Sequence, residues 1–399
     1  MTTAVIVDAV RTAAGRRNGK LSGWHPADLA AETLKALVVR NDLDPAEVDD
    51  VIMGCVMQIG AQGINVARNA VLAADFPESV PATTIDRQCG SSQQSVHFAA
   101  QGVMAGAYDV AIAAGVEVMS LVPMGATMLA PNTGMPFGPK MMARYQAAGG
   151  LVPQGISAEM ICDRWHLSRA DVDAYGARSQ QLAEKATKEG RFEREVVPVA
   201  VKVRDRDSGQ VIETNEVLTR DEGIRPGTTV ETLATLKPAF KADGGRITAG
   251  NSSQISDGAS AVLIMSEEKA SALGLTPRAR FHSFALAGVD PILMLTGPIP
   301  ATAAVLERGK LALDDIDLIE INEAFASVVL AWEHEVHPDM DRVNVNGGAI
   351  ALGHPLGASG TKLTATLVNE LERRGGRFGL QTMCEGGGLA NAMIIERLG

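Results

Sequence analysis

Two cysteines, one histidine and an Asn-Glu pair stand at turns suited to chemistry. Cys89 lies in DRQCGSSQQSVHFAA, between strand-like PATTI and a helix expected to start near Ser91. A thiol there meets the positive end of a helix dipole and unpaired N–H groups, which favour thiolate. The same turn would also suit a small buried cysteine with no reactive role. His354 opens the second candidate, inside the glycine-dense run GGAIALGHPLGASG (347–360) and just before another expected helix. Glycines let a backbone approach a ligand closely, but the run does not fit the phosphate-binding G-x-x-x-x-G-K-[ST] pattern. Cys384 ends an apolar strand in MCEGGGLANA, and the three glycines after it can aim backbone N–H groups at a developing oxyanion. Asn322 and Glu323, in INEAFA, end another apolar strand, the usual place for site residues in α/β folds and equally a place for a helix cap.

The elements that must position these groups occur twice. LDPAEVDDVI (43–52) aligns with LALDDIDLIE (311–320) at an offset of 268, which sets Asp49 over Asp317. The same offset puts Ser91-Ser92 over Ser359-Gly360, and VAIAAGV (110–116) over the run around Gly379–Cys384. It also puts His354 over Asp86, on the turn matching the one that bears Cys89. Three patches at one offset imply two halves of one fold. Reactive groups on matching turns meet if the halves pack about a pseudo-twofold axis. Each half reads strand, helix, acidic turn, strand, Gly/Ser turn, long helix, apolar strand, so the sheets are expected to be covered on both faces. We expect the first half over 1–120 plus 250–275, an insertion over 121–249 and the second half over 276–399. The insertion holds a capping-box signal, SRAD (168–171), followed by Val172, Tyr175, Leu182 and Ala186 on a helical stripe that reads as core packing.

Composition narrows the function. The 399 residues hold 41 Gly against 15 aromatics, which implies close backbone packing rather than an aromatic-filled core. A net charge of −11 argues against coating nucleic acid, so an anionic ligand needs a few local cations. The four cysteines, at 55, 89, 162 and 384, show no C-x-x-C pair. A metal site is therefore not expected, and a reducing cytoplasm fits. No membrane span or leader pattern is evident.

Cys89 in QCGSS, NEAFA (322–326), GHPLGASG (353–360) and Cys384 before GGG together resemble a thiolase, in that family's order and over essentially the whole chain. The resemblance implies an α/β, five-layered αβαβα core of two similar halves with an inserted loop domain. It also implies cleavage of 3-ketoacyl-CoA by CoA, or the reverse condensation. By that likeness Cys89 is the nucleophile, His354 keeps it deprotonated and Cys384 shuttles the α-proton. One oxyanion hole combines His354 with a water held by Asn322, and the other uses the N–H groups of Cys89 and Gly386. Glu323 orients its neighbours. Arg225 in DEGIRPG matches a contact to the nucleotide end of CoA, and Ser253 in TAGNSSQ one to the pantetheine amide. CoA is a substrate, and no cofactor or metal is implied. The family also implies a homodimer or homotetramer, with β-oxidation enzymes as possible partners.

Two departures bear on substrate. Acetoacetyl-specific members carry His-Met-Gly where this chain has Pro153-Gln154-Gly155, which implies a roomier acyl site, as for fatty or steroid side chains. The closing GGGLANA also differs from the more usual GGGQG or GGGMG. An acetyl-CoA acetyltransferase using the same site and a non-catalytic acyl-CoA-binding protein stay open as alternatives.

Overall fold

The computed structural model describes residues 2–399. The first half runs β1 (Ala4–Thr12), β2 (Gly15–Arg16), α1 (Pro26–Arg40), β3 (Asp50–Gly54), α2 (Val66–Ala73), β4 (Ala82–Ile85), α3 (Ser91–Met104) and β5 (Val110–Val118). The insertion carries α4 (Ala126–Leu129), α5 (Pro139–Gln146), α6 (Gln154–Arg164), α7 (Arg169–Lys188), β6 (Val196–Val197), β7 (Val199–Arg204), β8 (Val211–Leu218) and α8 (Val230–Ala234). The chain then returns through β9 (Ser256–Ser266) and α9 (Glu267–Ala272) to the second half. That half comprises β10 (Ala279–Gly288), α10 (Pro298–Gly309), β11 (Leu318–Ile321), α11 (Ala326–Val336), α12 (Ala349–Leu352), α13 (Ser359–Arg374), β12 (Phe378–Glu385) and β13 (Leu389–Arg397).

The offset of 268 survives in three dimensions: β3 maps onto β11, β5 onto β12, and the start of α3 onto the start of α13. A hydrogen bond repeats with it. Asp49 accepts the N–H groups of Asp109 and Val110, and Asp317 those of Arg377 and Phe378. In each half the acidic turn thus ties one strand to the start of its parallel neighbour.

Strands run in the order β11-β12-β13-β10-β1-β9-β5-β3-β4, so the two halves share one continuous sheet. The join is narrow: β1 and β10 pair antiparallel at Val5↔Arg280 and Ile6↔Ala279. The insertion also contributes to the sheet, because β6 pairs parallel with Arg11 and Thr12 of β1. Alternate residues of β1 serve different layers: Val5, Val7 and Val10 pack with α1 and α2, whereas Ala4, Ile6 and Ala9 face the layer of α3 and α13. A third apolar cluster joins the far face of the second half to α6 and α7 of the insertion. Such two-sided burial demands near-continuous apolar strands, as β5 and the Ala261–Met265 stretch of β9 are.

In the insertion, Ser168 and Asp171 form the capping box of α7. Its stripe is buried at Val172, Tyr175 and Ala186, but Ala183 takes the inward place and Leu182 is only half-buried. Among the described residues no helix is long and apolar enough to cross a membrane.

Candidate active site

Cys89 sits one residue before the N-cap of α3, on a turn fixed by its own side chains. Asp86 accepts the N–H of Gln88 at 2.7 Å, while Ser91 Oγ accepts from Arg87 N and donates to Gln88 O. Gln88 is held at φ +48°, a left-handed conformation costly for a side-chain-bearing residue. The cysteine is 5% exposed, within an apolar cluster of Val56, Met57, Met119, Val122, Leu356 and Met383.

Cys384 is fully buried on β12. Its sulfur lies close enough to Cys89 for a Cys89 thiolate to oppose its ionisation, and the N–H groups of Ala324 and of Cys384 itself favour its anion. The N–H groups of Cys89 and Gly386 likewise reach the Cys89 sulfur. Burial pushes the Cys89 thiol up to about 12, helped by the Glu385 carboxylate, and the Cys384 thiol also rises. This reverses the expectation that the helix terminus favours a resting thiolate. Loss of water costs the anion more than the dipole returns, so Cys89 rests protonated and must lose its proton during reaction.

The groups able to take and answer that proton are buried and unsatisfied. His354 is 3% exposed, and burial lowers its pKa to about 3, aided by the Lys362 ammonium, so the imidazole is neutral. Its Nδ1 meets Ser359 Oγ at 2.5 Å, which leaves Nε2 without a partner among the described residues. Asn322, 1% exposed at the end of β11, has both side-chain polar atoms unpartnered. Buried amides are rarely left so, and the site has the chemistry of one that holds a water or a substrate oxygen.

Glu323 makes no such opening. Its carboxylate accepts from Tyr175 Oη, Ser179 Oγ, Asn344 Nδ2 and Ile350 N at 2.6–3.1 Å, so it fastens α7 of the insertion to the Asn322 turn and to α12.

Ser253 and Arg225 fall on one path leading from these groups into the insertion. Ser253 N donates to Ala324 O, His354 N donates to Gln254 O, and Gln254 Nε2 donates to Gly223 O. Arg225, two residues on, is anchored through its N–H to Gln180 Oε1 and exposed, with no ion pair among the described residues.

Sequence reasoning missed two carboxylates. Glu117 accepts the N–H groups of Val56, Met57 and Gly357, tying the loop after β3 to the turn after His354. Its equivalent by the offset of 268 is Glu385, between Cys384 and Gly386, where both oxygens are unpartnered. Burial raises Glu385 to about 8, against the pull of Arg87. The repeat could have flagged this pair, since both glutamates close an apolar strand.

The sequence matches the models described as Thiolase, N-terminal domain, over residues 4–268 and Thiolase, C-terminal domain, over 275–397. It is 49% identical to a steroid 3-ketoacyl-CoA thiolase, FadA6, of Mycobacterium tuberculosis, across 100% of this chain and 95% of that one. It is 46% identical to a 3-ketoacyl-CoA thiolase of Bacillus subtilis, across 99% and 100%. Among solved structures, the acetyl-CoA acetyltransferase of Bacillus anthracis superposes with a TM-score of 0.88 at 39% identity, covering 100% of this chain and 99% of that one. With its two half-domains matched in order over residues 4–268 and 275–397, the chain belongs to the thiolase family.

Proposed function

We propose that this chain is a degradative 3-ketoacyl-CoA thiolase, an acyltransferase that cleaves 3-ketoacyl-CoA with CoA to acetyl-CoA and a shortened acyl-CoA. The observation that carries it is the pair of neighbouring buried thiols, Cys89 and Cys384, together with a buried, neutral, half-partnered His354. Cys89 Sγ attacks the 3-keto carbon as its proton passes to His354 Nε2. The C2–C3 bond then breaks, the acyl group stays on Cys89 as a thioester, and the acetyl-CoA enolate takes a proton from Cys384. CoA thiol enters, a proton returns to Cys384, and the CoA thiolate attacks the acyl-Cys89 carbonyl. Cys89 leaves as thiolate and is reprotonated from His354, which restores every group.

Developing oxyanions need donors fixed beforehand, each worth on the order of 10²–10³ in rate. The N–H groups of Cys89 and Gly386 fit one such position, and His354 Nε2 with a water on Asn322 fits the other. Arg225 and Ser253 fit the nucleotide and pantetheine parts of CoA, the exposed guanidinium supplying the local cation that the −11 chain requires. No cofactor enters this scheme.

Two features support a long or bulky apolar acyl group. The cluster around Cys89 is bordered by half-buried Ile59, Leu121 and Ala126, and exposed Met124, Met128 and Leu129 flank Ala126 along the chain. Pro153-Gln154 stands where a Met/His wall would narrow the site, with Gln154 Nε2 beside Gly386. Dimerisation is supported by β4, which ends the strand order with no further strand on its outer side among the described residues and so offers a second copy a ladder. Four free cysteines fit a reducing cytoplasm. The enzymes that would supply its substrate are those oxidising 3-hydroxyacyl-CoA.

Brief exposure to 3-ketoacyl-CoAs of graded length without free CoA, acid quenching and peptide mass mapping test the proposal. A long or bulky acyl adduct on Cys89 is expected. An adduct confined to acetyl would assign an acetoacetyl-CoA thiolase instead, and none, with CoA binding intact, would leave only a binding protein.

A further inference from the structure

We propose that Lys362 is a positioning residue for His354, holding the turn that carries the imidazole and linking it to the charge network of the insertion. This rests on the reading of His354 as the base. Lys362 lies on the third position of α13 after Ser359, is 5% exposed, and donates from Nζ to Leu352 O at 3.2 Å and Gly353 O at 3.0 Å. These are the carbonyls of the last helical residue of α12 and of its cap, which a helix terminus leaves without intrahelical partners. A cation there satisfies both at once and complements the helix C-terminus.

The two peptide units so held lead directly into His354. Gly353, at φ +81°, cannot carry a side chain, since a Cβ would sit 2.4 Å from Ser256 Oγ. On the other flank, His354 N donates to Gln254 O and Ser256 Oγ at 3.1 and 3.2 Å. Ser359 Oγ holds Nδ1 and in turn donates to Pro355 O. The His354 turn is therefore fixed at its N–H, its ring and its preceding carbonyls, and only the last hold depends on a charge.

That charge is buried among others. Facing Lys362 are Asp221 and Glu195 from the insertion, Arg11 from β1, Glu320 from β11 and His354 itself. Arg11 ties the first two together, reaching Glu195 at 2.6 Å and Asp221 at 2.7 Å, and Thr366 of α13 donates to Glu195. The insertion that carries Arg225 thus shares one buried network with the residue that sets the His354 turn. Burial lowers the Lys362 ammonium to about 8, against the pull of Asp221. As pH rises through that value the ammonium loses its charge and one of its three donors, and the neutral amine holds the two carbonyls more weakly.

The test compares Lys362→Met, Lys362→Arg and His354→Ala in the full chain, measuring thiolysis across pH 6–10. Lys362→Met is expected to lower kcat on the order of 10²-fold with KM for CoA little changed, the usual effect of a misplaced catalytic group. Lys362→Arg, which stays charged at all these values, is expected to restore most of kcat and to move the alkaline loss of activity upward from near pH 8. A purely structural role would not move that limb. Wild-type kcat in Lys362→Met, or an unmoved limb in Lys362→Arg, overturns the proposal. If Lys362→Met does not fold, the limb in Lys362→Arg still decides. Full activity in His354→Ala would instead overturn the reading of His354 on which this rests.

Discussion

The close approach of α3 and α13 sets the distance between the two halves of the site, and Gly360→Ala is the change that measures it. A Cβ at Gly360 would lie 2.0 Å from Gln93 N and 2.7 Å from Gln93 Cα, both main-chain atoms inside a helix that cannot swing aside. Ordinary contact begins near 3.4 Å, so the helix starts must part by more than 1 Å. Cys89 rides on the start of α3, and the His354 turn runs into the start of α13. The separation also stretches Gln381 Nε2 to Gly360 O, 2.8 Å, and Thr361 N to Ser92 Oγ, 3.0 Å. Overpacking of this kind costs about 1–3 kcal/mol. Misplacing a catalytic group by about 1 Å costs on the order of 10² in rate. Expected, then, are a melting temperature lower by a few degrees and thiolysis slower by about 10²-fold. Gly288→Ala, where a Cβ meets nothing within 4 Å, serves as the control and should leave both alone. Steady-state thiolysis and thermal melting of the two variants would decide. A Gly360→Ala enzyme that is destabilised yet turns over at the wild-type rate would refute the link between helix contact and catalysis.

Two further outcomes concern protons. Removing the Glu385 charge with Glu385→Gln should lower the Cys89 thiol pKa, since that carboxylate helps to raise it. Glu385 is itself protonated below about 8, so alkylation of Cys89 by iodoacetamide should quicken above pH 8 and be unchanged at pH 6.5, and a gain at both values would count against this assignment. His97 and His354 are both lowered to about 3 by burial, so the folded state binds fewer protons than the unfolded chain below pH 6.5. The two imidazoles thus make stability fall with acid, by up to roughly 1.4 kcal/mol per histidine for each unit from 6.5 toward 3, while Glu385, raised to about 8, and Asp257, raised to about 6, act in the opposite sense. Denaturant melts of wild type and His97→Asn at pH 7.0, 6.0 and 5.0 isolate the histidine part: the variant should lose less stability toward acid, and an unchanged slope would show that the imidazole is not buried neutral.

The sequence by itself carried the repeat and the motifs, because both are local. Acidic turns, Gly/Ser turns and apolar runs are written in consecutive residues, so an offset of 268 could align β3 with β11 and β5 with β12. The four turns bearing Cys89, Asn322, His354 and Cys384 were legible for the same reason, since nucleophile, base and glycine-rich donor loops need particular residue types side by side. The capping box of α7 was equally plain.

What only the tertiary structure decided depends on pairings across long stretches of chain and on burial. The two-residue join of β1 to β10, and the loan of β6 from the insertion, leave no periodic signal. Glu323 looked like a site carboxylate, yet three of its four donors come from residues 144, 148 and 27 positions away. Lys362 reads as an ordinary polar residue on a helix until Asp221, Glu195 and Arg11 close around it. The sign of the Cys89 shift reversed for the same reason. A helix terminus can be recognised along the chain, but the water a folded protein excludes from a thiol cannot, and in this pocket exclusion outweighs the dipole.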